Sequence, residues 1–131
     1  MNARILIVED EQIIAADLRN KLRRMGHQVV GMAIAGEEAI GMAEQMQPDV
    51  VLMDVQLEGP MSGTEAARTI QERTGCQVVF ITAFPGVFLR DPAQLTEPRI
   101  CIAKPFSRVQ LEAAVAAALG DPGQHFQVND L

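Results

Sequence analysis

Four of the five short apolar runs in this chain end in side chains that could take part in chemistry. Acidic residues follow the first run and close the third, a threonine closes the fourth, and a lysine follows the fifth. Each has a structural alternative, because acids favour the start of a helix, threonine suits a strand, and lysine can neutralise acids. Their coincidence at four run ends is harder to explain by structure alone. The residues are Glu9, Asp10, Glu11, Asp54, Thr82 and Lys104.

These residue types suit the transfer of a phosphoryl group. Clustered carboxylates repel one another, and a hard divalent cation such as Mg²⁺ relieves that repulsion through oxygen ligands. A carboxylate such as Asp54 can act as a nucleophile and form an acyl phosphate, while the Lys104 ammonium stabilises the phosphoryl oxygens. The Thr82 hydroxyl could donate to one of those oxygens, and the small Ala83 would leave room for it.

The elements that must position these side chains begin with five apolar runs rich in valine and isoleucine. The runs are nearly continuous rather than alternating, which is typical of strands buried on both faces of a parallel sheet. We predict strands over RILIV (4–8), VVGMA (29–33), VVLM (50–53), VVFI (78–81) and ICIA (100–103).

Helical patterns lie between most of these runs, because apolar residues recur there at three- and four-residue spacing. They cover residues 12–25, 36–46, 63–74 and 107–119. The predicted buried stripes include Ile13 in the first helix and Val109 in the last. Gly26 is predicted to end the first helix, and Ser107 is the predicted N-cap of the last.

The fourth connection, 84–99, differs from the others because it holds three prolines. Proline inside a helix costs about 3 kcal/mol, so we predict a short or irregular helix around residues 87–95. No periodic pattern remains after Gly120. Residues 1–120 are therefore predicted to form one domain, with 121–131 as a flexible tail.

Strand and helix alternate through the chain, which predicts an α/β fold with a parallel sheet, helices on both faces and right-handed crossovers. In such folds, sites collect outside the carboxyl ends of the strands, near the point where the strand order reverses. If the four polar run ends belong to neighbouring strands, the acids, the hydroxyl and the ammonium meet at one edge of the sheet.

Composition excludes several classes of partner. A hydrophobic content of 48% and a charged content of 21% indicate a globular chain. The net charge of −6 argues against general affinity for nucleic acid or an anionic membrane. No signal peptide or membrane span is expected, so we predict a cytoplasmic protein with Cys76 and Cys101 as buried thiols. His27 and His125 are predicted to be solvated surface residues.

Taken together, these motifs resemble the response-regulator receiver domain of bacterial two-component signalling. The residues that carry the resemblance are Glu9–Asp10, Asp54, Thr82–Ala83 and Lys104–Pro105–Phe106, with the stretches ILIVEDE, GEEAI and PDVVLMDVQL. It covers about residues 4–119. It implies a flavodoxin-like three-layer sandwich with a five-stranded sheet of order 2-1-3-4-5. The prolines of the fourth connection add an irregular fourth helix to that expectation.

The resemblance also implies a phosphorelay function. Asp54 would accept a phosphoryl group from the phosphohistidine of a sensor histidine kinase or a histidine phosphotransfer protein. Mg²⁺ would be the cofactor, bound by Asp10, Asp54 and the backbone carbonyl of Gln56, with Glu9 acting through water. The protein would catalyse its own phosphorylation and dephosphorylation only, and would not otherwise be an enzyme.

A conformational switch is a further implication of the resemblance. Lys104 would pair with the phosphoryl oxygens, the peptide bond after it would be cis, and Thr82 would supply the switch hydroxyl. The family usually carries an aromatic residue three positions before this lysine, where the present chain has Cys101. Phe84 or Phe88 could take the place of that aromatic residue.

Two segments depart from the family pattern. The loop after Asp54, VQLEGPMSG, is one residue longer than the common form, with Gly59 added and Pro60 displaced, which should alter the geometry beside the site. The proline-bearing segment 84–99 replaces a helix that many relatives use for dimerisation or docking. A similar segment occurs in receivers linked to the general stress response of some bacteria. We expect a downstream protein partner, and a homodimer remains open.

Other functions are less compatible with these residues. A phosphatase with an aspartyl nucleophile would want an acid two residues after Asp54, where Gln56 stands. A dinucleotide enzyme would want a glycine-rich turn after the first strand, where VEDEQ would repel a pyrophosphate. A receiver kept only for binding would usually have lost Asp54 or Lys104, and both remain.

Overall fold

The computed structural model describes residues 2–84, 86, 100–120 and 126–127. The strands are β1 (Arg4–Val8), β2 (Gln28–Ala33), β3 (Val50–Asp54), β4 (Gln77–Thr82), β5 (Ile100–Ala103) and β6 (Phe126–Gln127). The helices are α1 (Gln12–Arg24), α2 (Gly36–Met46), α3 (Gly63–Thr74) and α4 (Arg108–Gly120). Within these described ranges, no helix combines the length and apolar character needed to cross a membrane.

The strands are all parallel and lie in the order β2-β1-β3-β4-β5-β6. The predicted α/β class and the order 2-1-3-4-5 are confirmed for the first five strands. The sheet differs from the prediction by β6, which pairs with β5 through Phe126 and Gln127 in the segment predicted to be a flexible tail. A strand of two residues has no apolar run that could reveal it. The irregular helix predicted around residues 87–95 and the rest of the tail lie outside the described residues.

Alternate residues of each central strand pack on opposite faces of the sheet. In β1, Ile5 and Ile7 pack with α1 and α4, whereas Leu6 and Val8 pack with α2 and α3. All five residues of β3 are buried, so the strand that ends in Asp54 is covered by helices on both faces. This three-layer arrangement holds the carboxyl ends of the central strands in place.

Local hydrogen bonds explain where the helices begin and end. The C-cap of α1 is Met25, one residue before the predicted Gly26, and Gly26 then adopts the left-handed φ of +92° that commonly ends a helix. The Ser107 hydroxyl accepts a hydrogen bond from the Gln110 amide at 3.1 Å, and the Gln110 side chain accepts one from the Ser107 amide at 2.8 Å. Ser107 is therefore confirmed as the N-cap of α4. Ser62 and Glu65 cap α3 in the same reciprocal way.

The predictions that Ile13 and Val109 are buried are wrong. Ile13 is 86% exposed and Val109 is 73% exposed. Each stands two residues before a residue that is buried, Ala15 in α1 and Leu111 in α4. Two residues turn a helix by about 200°, so with Ala15 and Leu111 facing the core, Ile13 and Val109 lie towards the solvent side.

Burial was predicted correctly for the two cysteines but not for His27. Cys76 and Cys101 are buried thiols, as predicted. His27 is partly buried instead of solvated, and its Nδ1 accepts a hydrogen bond from the Ala3 amide at 3.0 Å. Burial lowers the pKa of His27, which favours the neutral ring that this bond requires. His125 lies outside the described residues.

Candidate functional site

The predicted site residues come together at the carboxyl edge of the sheet. Glu9 follows β1 directly, Asp54 and Thr82 are the last residues of β3 and β4, and Lys104 follows β5. Because β1, β3, β4 and β5 are consecutive neighbours in the sheet, these four strands deliver their ends to one crevice. The chain order reverses between β1 and β3, which is where α/β sheets place their sites.

Three carboxylates form the acidic part of this crevice. Oxygen atoms of Glu9, Asp10 and Asp54 lie within 4.8 Å of one another, close enough to hold one metal ion. Glu9 is 1% exposed and Asp54 is 3% exposed, so water screens their mutual repulsion poorly. Oxygen ligands of this kind suit a hard divalent cation.

Each of the three carboxylates accepts a hydrogen bond from a different backbone amide. The amides two residues further along the chain donate to Glu9 Oε2 at 3.2 Å and to Asp54 Oδ1 at 3.0 Å. Asp10 Oδ2 instead accepts a hydrogen bond at 3.1 Å from the amide of Glu58, which lies 48 residues away in the loop after β3. The metal-binding roles of the Gln56 carbonyl and of Glu9 through water stay predictions.

Lys104 brings an ammonium group among these carboxylates. Its Nζ lies 2.9 Å from Glu9 Oε1 and 3.9 Å from Glu11 Oε1, and it donates a hydrogen bond to Asp54 Oδ2 at 3.3 Å. Burial would lower the pKa of Lys104, but Glu9 and Asp54 together outweigh burial and raise this pKa above its ordinary value. Lys104 therefore stays positively charged at neutral pH.

The carboxyl group of Glu9 has a strongly raised pKa. Burial raises the pKa of Glu9 to about 7, with Lys104 opposing the rise and Asp54 adding to it. Glu9 Oε1 lies 2.9 Å from the Lys104 ammonium, and no other donor of the described residues contacts it. The carboxylates of Glu9, Asp10 and Asp54 together carry more negative charge than one lysine balances, so the residues present fit a site for a metal ion such as Mg²⁺.

We expect Glu9→Gln to raise the free energy of unfolding of the metal-free protein by about 1–2 kcal/mol near pH 8 and to change it little near pH 5. The pKa of Glu9 is about 7 in the folded protein and 4.5 in its ordinary state. The folded state therefore binds this proton more tightly, and wild-type stability falls as pH rises through 4.5 towards 7. Glutamine cannot ionise, so the stability of the variant does not fall in this way as pH rises. Urea denaturation in a chelator at both pH values measures the effect, and an equal change at both would contradict the raised pKa.

Thr82 closes β4 beside this acidic cluster and is 1% exposed. Its Oγ1 accepts a hydrogen bond from the Phe84 amide at 3.0 Å, which leaves the hydroxyl proton available to another acceptor. The Lys104 amide donates to the Thr82 carbonyl at 2.8 Å and so ties the end of β4 to the lysine. The Lys104–Pro105 peptide bond is cis, as the resemblance implies.

Cys101, in the position of the usual aromatic residue, is buried in the core. Its side chain is 1% exposed and packs with Phe80 in the layer shared with α2 and α3. Phe84 is 57% exposed, and Phe88 lies outside the described residues. The switch roles of Thr82, Cys101 and Phe84 stay predictions.

Sequence reasoning missed two backbone features of the site. One is the Glu58 amide, which leaves no signal because almost every residue type supplies an amide. The other is Gly63, the first residue of α3, whose amide donates to the Val55 carbonyl at 3.0 Å. A Cβ atom on Gly63 would lie 2.0 Å from the Asp54 carbonyl oxygen. A glycine at the start of an otherwise ordinary helix is a signal of such close backbone approach.

Known proteins share this sequence pattern and fold. Residues 5–116 match the family model of the response regulator receiver domain. Phyllosphere-induced regulator PhyR of Methylorubrum extorquens is 38% identical over 120 residues, which cover 91% of this chain and 44% of that protein. Transcriptional regulatory protein PdtaR of Mycobacterium tuberculosis is 37% identical over 116 residues, which cover 88% of this chain and 56% of that protein.

A solved structure agrees with these matches. The crystal structure of anti-anti-sigma factor PhyR from Bartonella quintana is 36% identical, with a TM-score of 0.79 over 91% of this chain and 48% of that chain. This chain thus spans about half the length of the relatives it matches. The family match runs from β1 into α4 and includes every residue of the crevice. The chain belongs to the response regulator receiver domain family.

Proposed function

We propose that this protein is the phosphoacceptor receiver module of a two-component phosphorelay and that Asp54 accepts the phosphoryl group. One observation carries the proposal: the buried Asp54 carboxylate lies 3.3 Å from the Lys104 ammonium and shares with two further carboxylates a cluster that could hold a metal ion. A lysine alone would suffice to neutralise Asp54. The additional acids raise the cost of the cluster unless a second cation, such as a metal ion, neutralises them.

The proposed reaction needs little covalent help from the protein. An oxygen of Asp54 attacks the phosphorus of a phosphohistidine, so that an oxygen–phosphorus bond forms and the phosphorus–nitrogen bond breaks as imidazole leaves. The backbone amide of Gln56 keeps the Asp54 carboxylate oriented by a hydrogen bond to Oδ1, while Asp54 Oδ2 accepts a hydrogen bond from Lys104. After transfer, the Lys104 ammonium balances the new negative charge and the Thr82 hydroxyl donates to a phosphoryl oxygen.

Mg²⁺ is the cofactor we propose for this crevice. Asp10, Asp54 and the Gln56 carbonyl would hold it, with Glu9 acting through water. When bound, Mg²⁺ supplies neutralisation of the phosphoryl charge. A cation also favours the ionised form of Glu9, whose pKa of about 7 reflects burial in the metal-free crevice.

The proposed partners are proteins. The phosphoryl donor would be a sensor histidine kinase or a histidine phosphotransfer protein in the cytoplasm. PhyR of Bartonella quintana carries the description anti-anti-sigma factor, and PdtaR is described as a transcriptional regulatory protein. With a net charge of −6, this chain is better suited to signal through a downstream protein than by binding nucleic acid itself. A homodimer is compatible with the same function.

Phosphorylation would change the charge of the crevice and thereby shift a conformational equilibrium. A phosphoryl group adds about −1.5 to −2 charges at pH 7. Lys104 and Thr82 would respond to this charge, and the backbone bond between them would carry the response to the ends of β4 and β5. Beyond its own phosphorylation and dephosphorylation, we propose no enzymatic activity.

Intact-mass spectrometry after incubation with acetyl phosphate tests the proposal. We expect a single phosphoryl adduct in the presence of Mg²⁺, loss of the adduct in a chelator, and no adduct on Asp54→Asn. Asp17→Asn is the matched control, because Asp17 is an exposed acid of α1 in a surface pair with Lys21, and it should acquire the full adduct.

The remaining outcomes would overturn parts of the proposal. An undiminished adduct on Asp54→Asn would place the acceptor elsewhere. No adduct on the folded wild-type protein, as judged by circular dichroism, would favour a receiver that only binds partners. An adduct that forms equally well in a chelator would exclude the proposed role of Mg²⁺.

A further inference from the structure

The three acids of the crevice are not held in the same way. The amides that hold Glu9 and Asp54 come from residues two positions further along the same strand end. The amide that holds Asp10 comes from Glu58, in the loop between β3 and α3. Lys104 contacts Glu9 and Asp54, whereas no lysine or arginine of the described ranges forms an ion pair with Asp10. The Glu58 amide is thus the donor that the structure gives to the Asp10 carboxylate.

The loop that carries this amide is anchored at both ends. Leu57 and Met61 are partly buried against the core layer of α2 and α3. Met61 lies close to Gly36 at the start of α2. A Cβ atom on Gly36 would lie 3.0 Å from the Met61 sulfur. Between the anchors, Gly59 adopts a φ of +102°, in the region that side chains other than glycine rarely occupy. The turn at Gly59 therefore helps to set where the neighbouring Glu58 amide points.

We propose that the backbone amide of Glu58 is a positioning group for Asp10, and that the loop turn at Gly59 thereby contributes to the affinity of the crevice for Mg²⁺. This inference rests on the proposed function, since it requires Mg²⁺ to bind at the crevice. The hydrogen bond engages one Asp10 oxygen, Oδ2, and a carboxylate has enough lone pairs on its two oxygens to bind a cation as well. It also limits rotation of a carboxylate that forms no ion pair with a lysine or arginine of the described ranges, so less freedom is lost when the metal binds.

The test compares two substitutions at one position by isothermal titration calorimetry with Mg²⁺. Glu58→Pro removes the amide proton, whereas Glu58→Ala removes only an exposed side chain and keeps the amide. A hydrogen bond to a charged group contributes enough that we expect Glu58→Pro to bind Mg²⁺ about tenfold more weakly than Glu58→Ala. Equal dissociation constants for the two folded variants would overturn the proposal.

A second pair of variants controls for distortion of the loop backbone by the proline at position 58. Gly59→Ala strains the turn and leaves residue 58 unchanged, so we expect weaker Mg²⁺ binding and an upfield shift of the Glu58 amide proton in the NMR spectrum. Gly41→Ala is the matched control, because a Cβ on this exposed helical glycine would meet nothing within 4 Å. We expect its dissociation constant to stay within about twofold of wild type, since Gly41 belongs neither to the loop nor to the crevice.

The outcomes separate this inference from the proposed function. If wild-type protein binds no Mg²⁺, both are wrong. If wild type binds Mg²⁺ and Glu58→Pro and Gly59→Ala, both folded, bind it equally well, only the positioning role is wrong. Weaker binding by both variants together with a displaced Glu58 amide signal supports the inference.

Discussion

Replacing Lys104 by methionine is expected to lower the free energy of unfolding by about 3 kcal/mol near pH 8 in the absence of metal. The ammonium lies 2.9 Å from Glu9 Oε1 and 3.3 Å from Asp54 Oδ2, and the lysine side chain is only 16% exposed. Methionine keeps the apolar stem but leaves two buried carboxylates without a counter-charge. Removing one partner of a buried ion pair is costly because the other charge stays desolvated.

The size of this effect should depend on pH and on Mg²⁺. Near pH 5 the Glu9 carboxyl is largely protonated in the folded protein, since its pKa is about 7, so the loss of Lys104 leaves fewer uncompensated charges. The destabilisation is therefore expected to shrink as pH falls from about 8 to about 5. At the higher pH, Mg²⁺ should restore part of the lost stability, because it supplies positive charge to the same carboxylates.

Urea denaturation of Lys104→Met and Lys21→Met measures this prediction. Lys21 is a partly buried residue of α1 that pairs with the exposed Asp17 and lies 5.5 Å from the Phe106 ring centroid, so its loss should cost about 1 kcal/mol and, because no buried carboxylate is left unpaired, equally at either pH. If the two variants lose the same stability near pH 8, the contacts of Lys104 with the acidic cluster are energetically unimportant. That result would also weaken the argument that this lysine compensates a transferred phosphoryl group.

Side-chain patterns predicted most of the fold because they report burial. Strands such as VVLM are continuous apolar runs, and the helices repeat apolar residues at three- and four-residue spacing, so both kinds of element could be located within one or two residues. The same patterns misplaced Ile13 and Val109, because periodicity identifies a stripe but does not say which residue of the first turn reaches the core. The two-residue strand β6 pairs with β5, and no hydrophobic pattern in the sequence marks it.

The candidate site was predictable to a similar degree. Parallel strands deliver their carboxyl ends to one edge, so Glu9, Asp54, Thr82 and Lys104 could be grouped from their positions after apolar runs. The features that hold these residues could not be predicted as readily. A backbone donor such as the Glu58 amide acts across 48 residues of sequence, and its target depends on how a loop is anchored.

The second large effect is expected at the start of α3, where Gly63→Ala should lower the free energy of unfolding by more than about 3 kcal/mol. The added Cβ would lie 2.0 Å from the Asp54 carbonyl oxygen and 2.9 Å from the Val55 Cα, so backbone must move to admit it. Any such movement strains the hydrogen bond from the Gly63 amide to the Val55 carbonyl. It also displaces the peptide group that follows the proposed phosphoacceptor.

Gly41→Ala provides the matched control for this prediction, because Gly41 is an exposed residue within α2 whose Cβ would contact nothing. Alanine is the better helix former, so this variant should gain about 0.5–1 kcal/mol in urea denaturation. If Gly63→Ala were as stable as Gly41→Ala, the close approach of α3 to Asp54 would not restrict this position. Phosphorylation can be measured on Gly63→Ala if this variant folds with reduced stability. Slower Mg²⁺-dependent phosphorylation of Gly63→Ala by acetyl phosphate would then show that α3 helps to hold Asp54 in a reactive position. Unchanged phosphorylation of that folded variant would limit the role of Gly63 to packing.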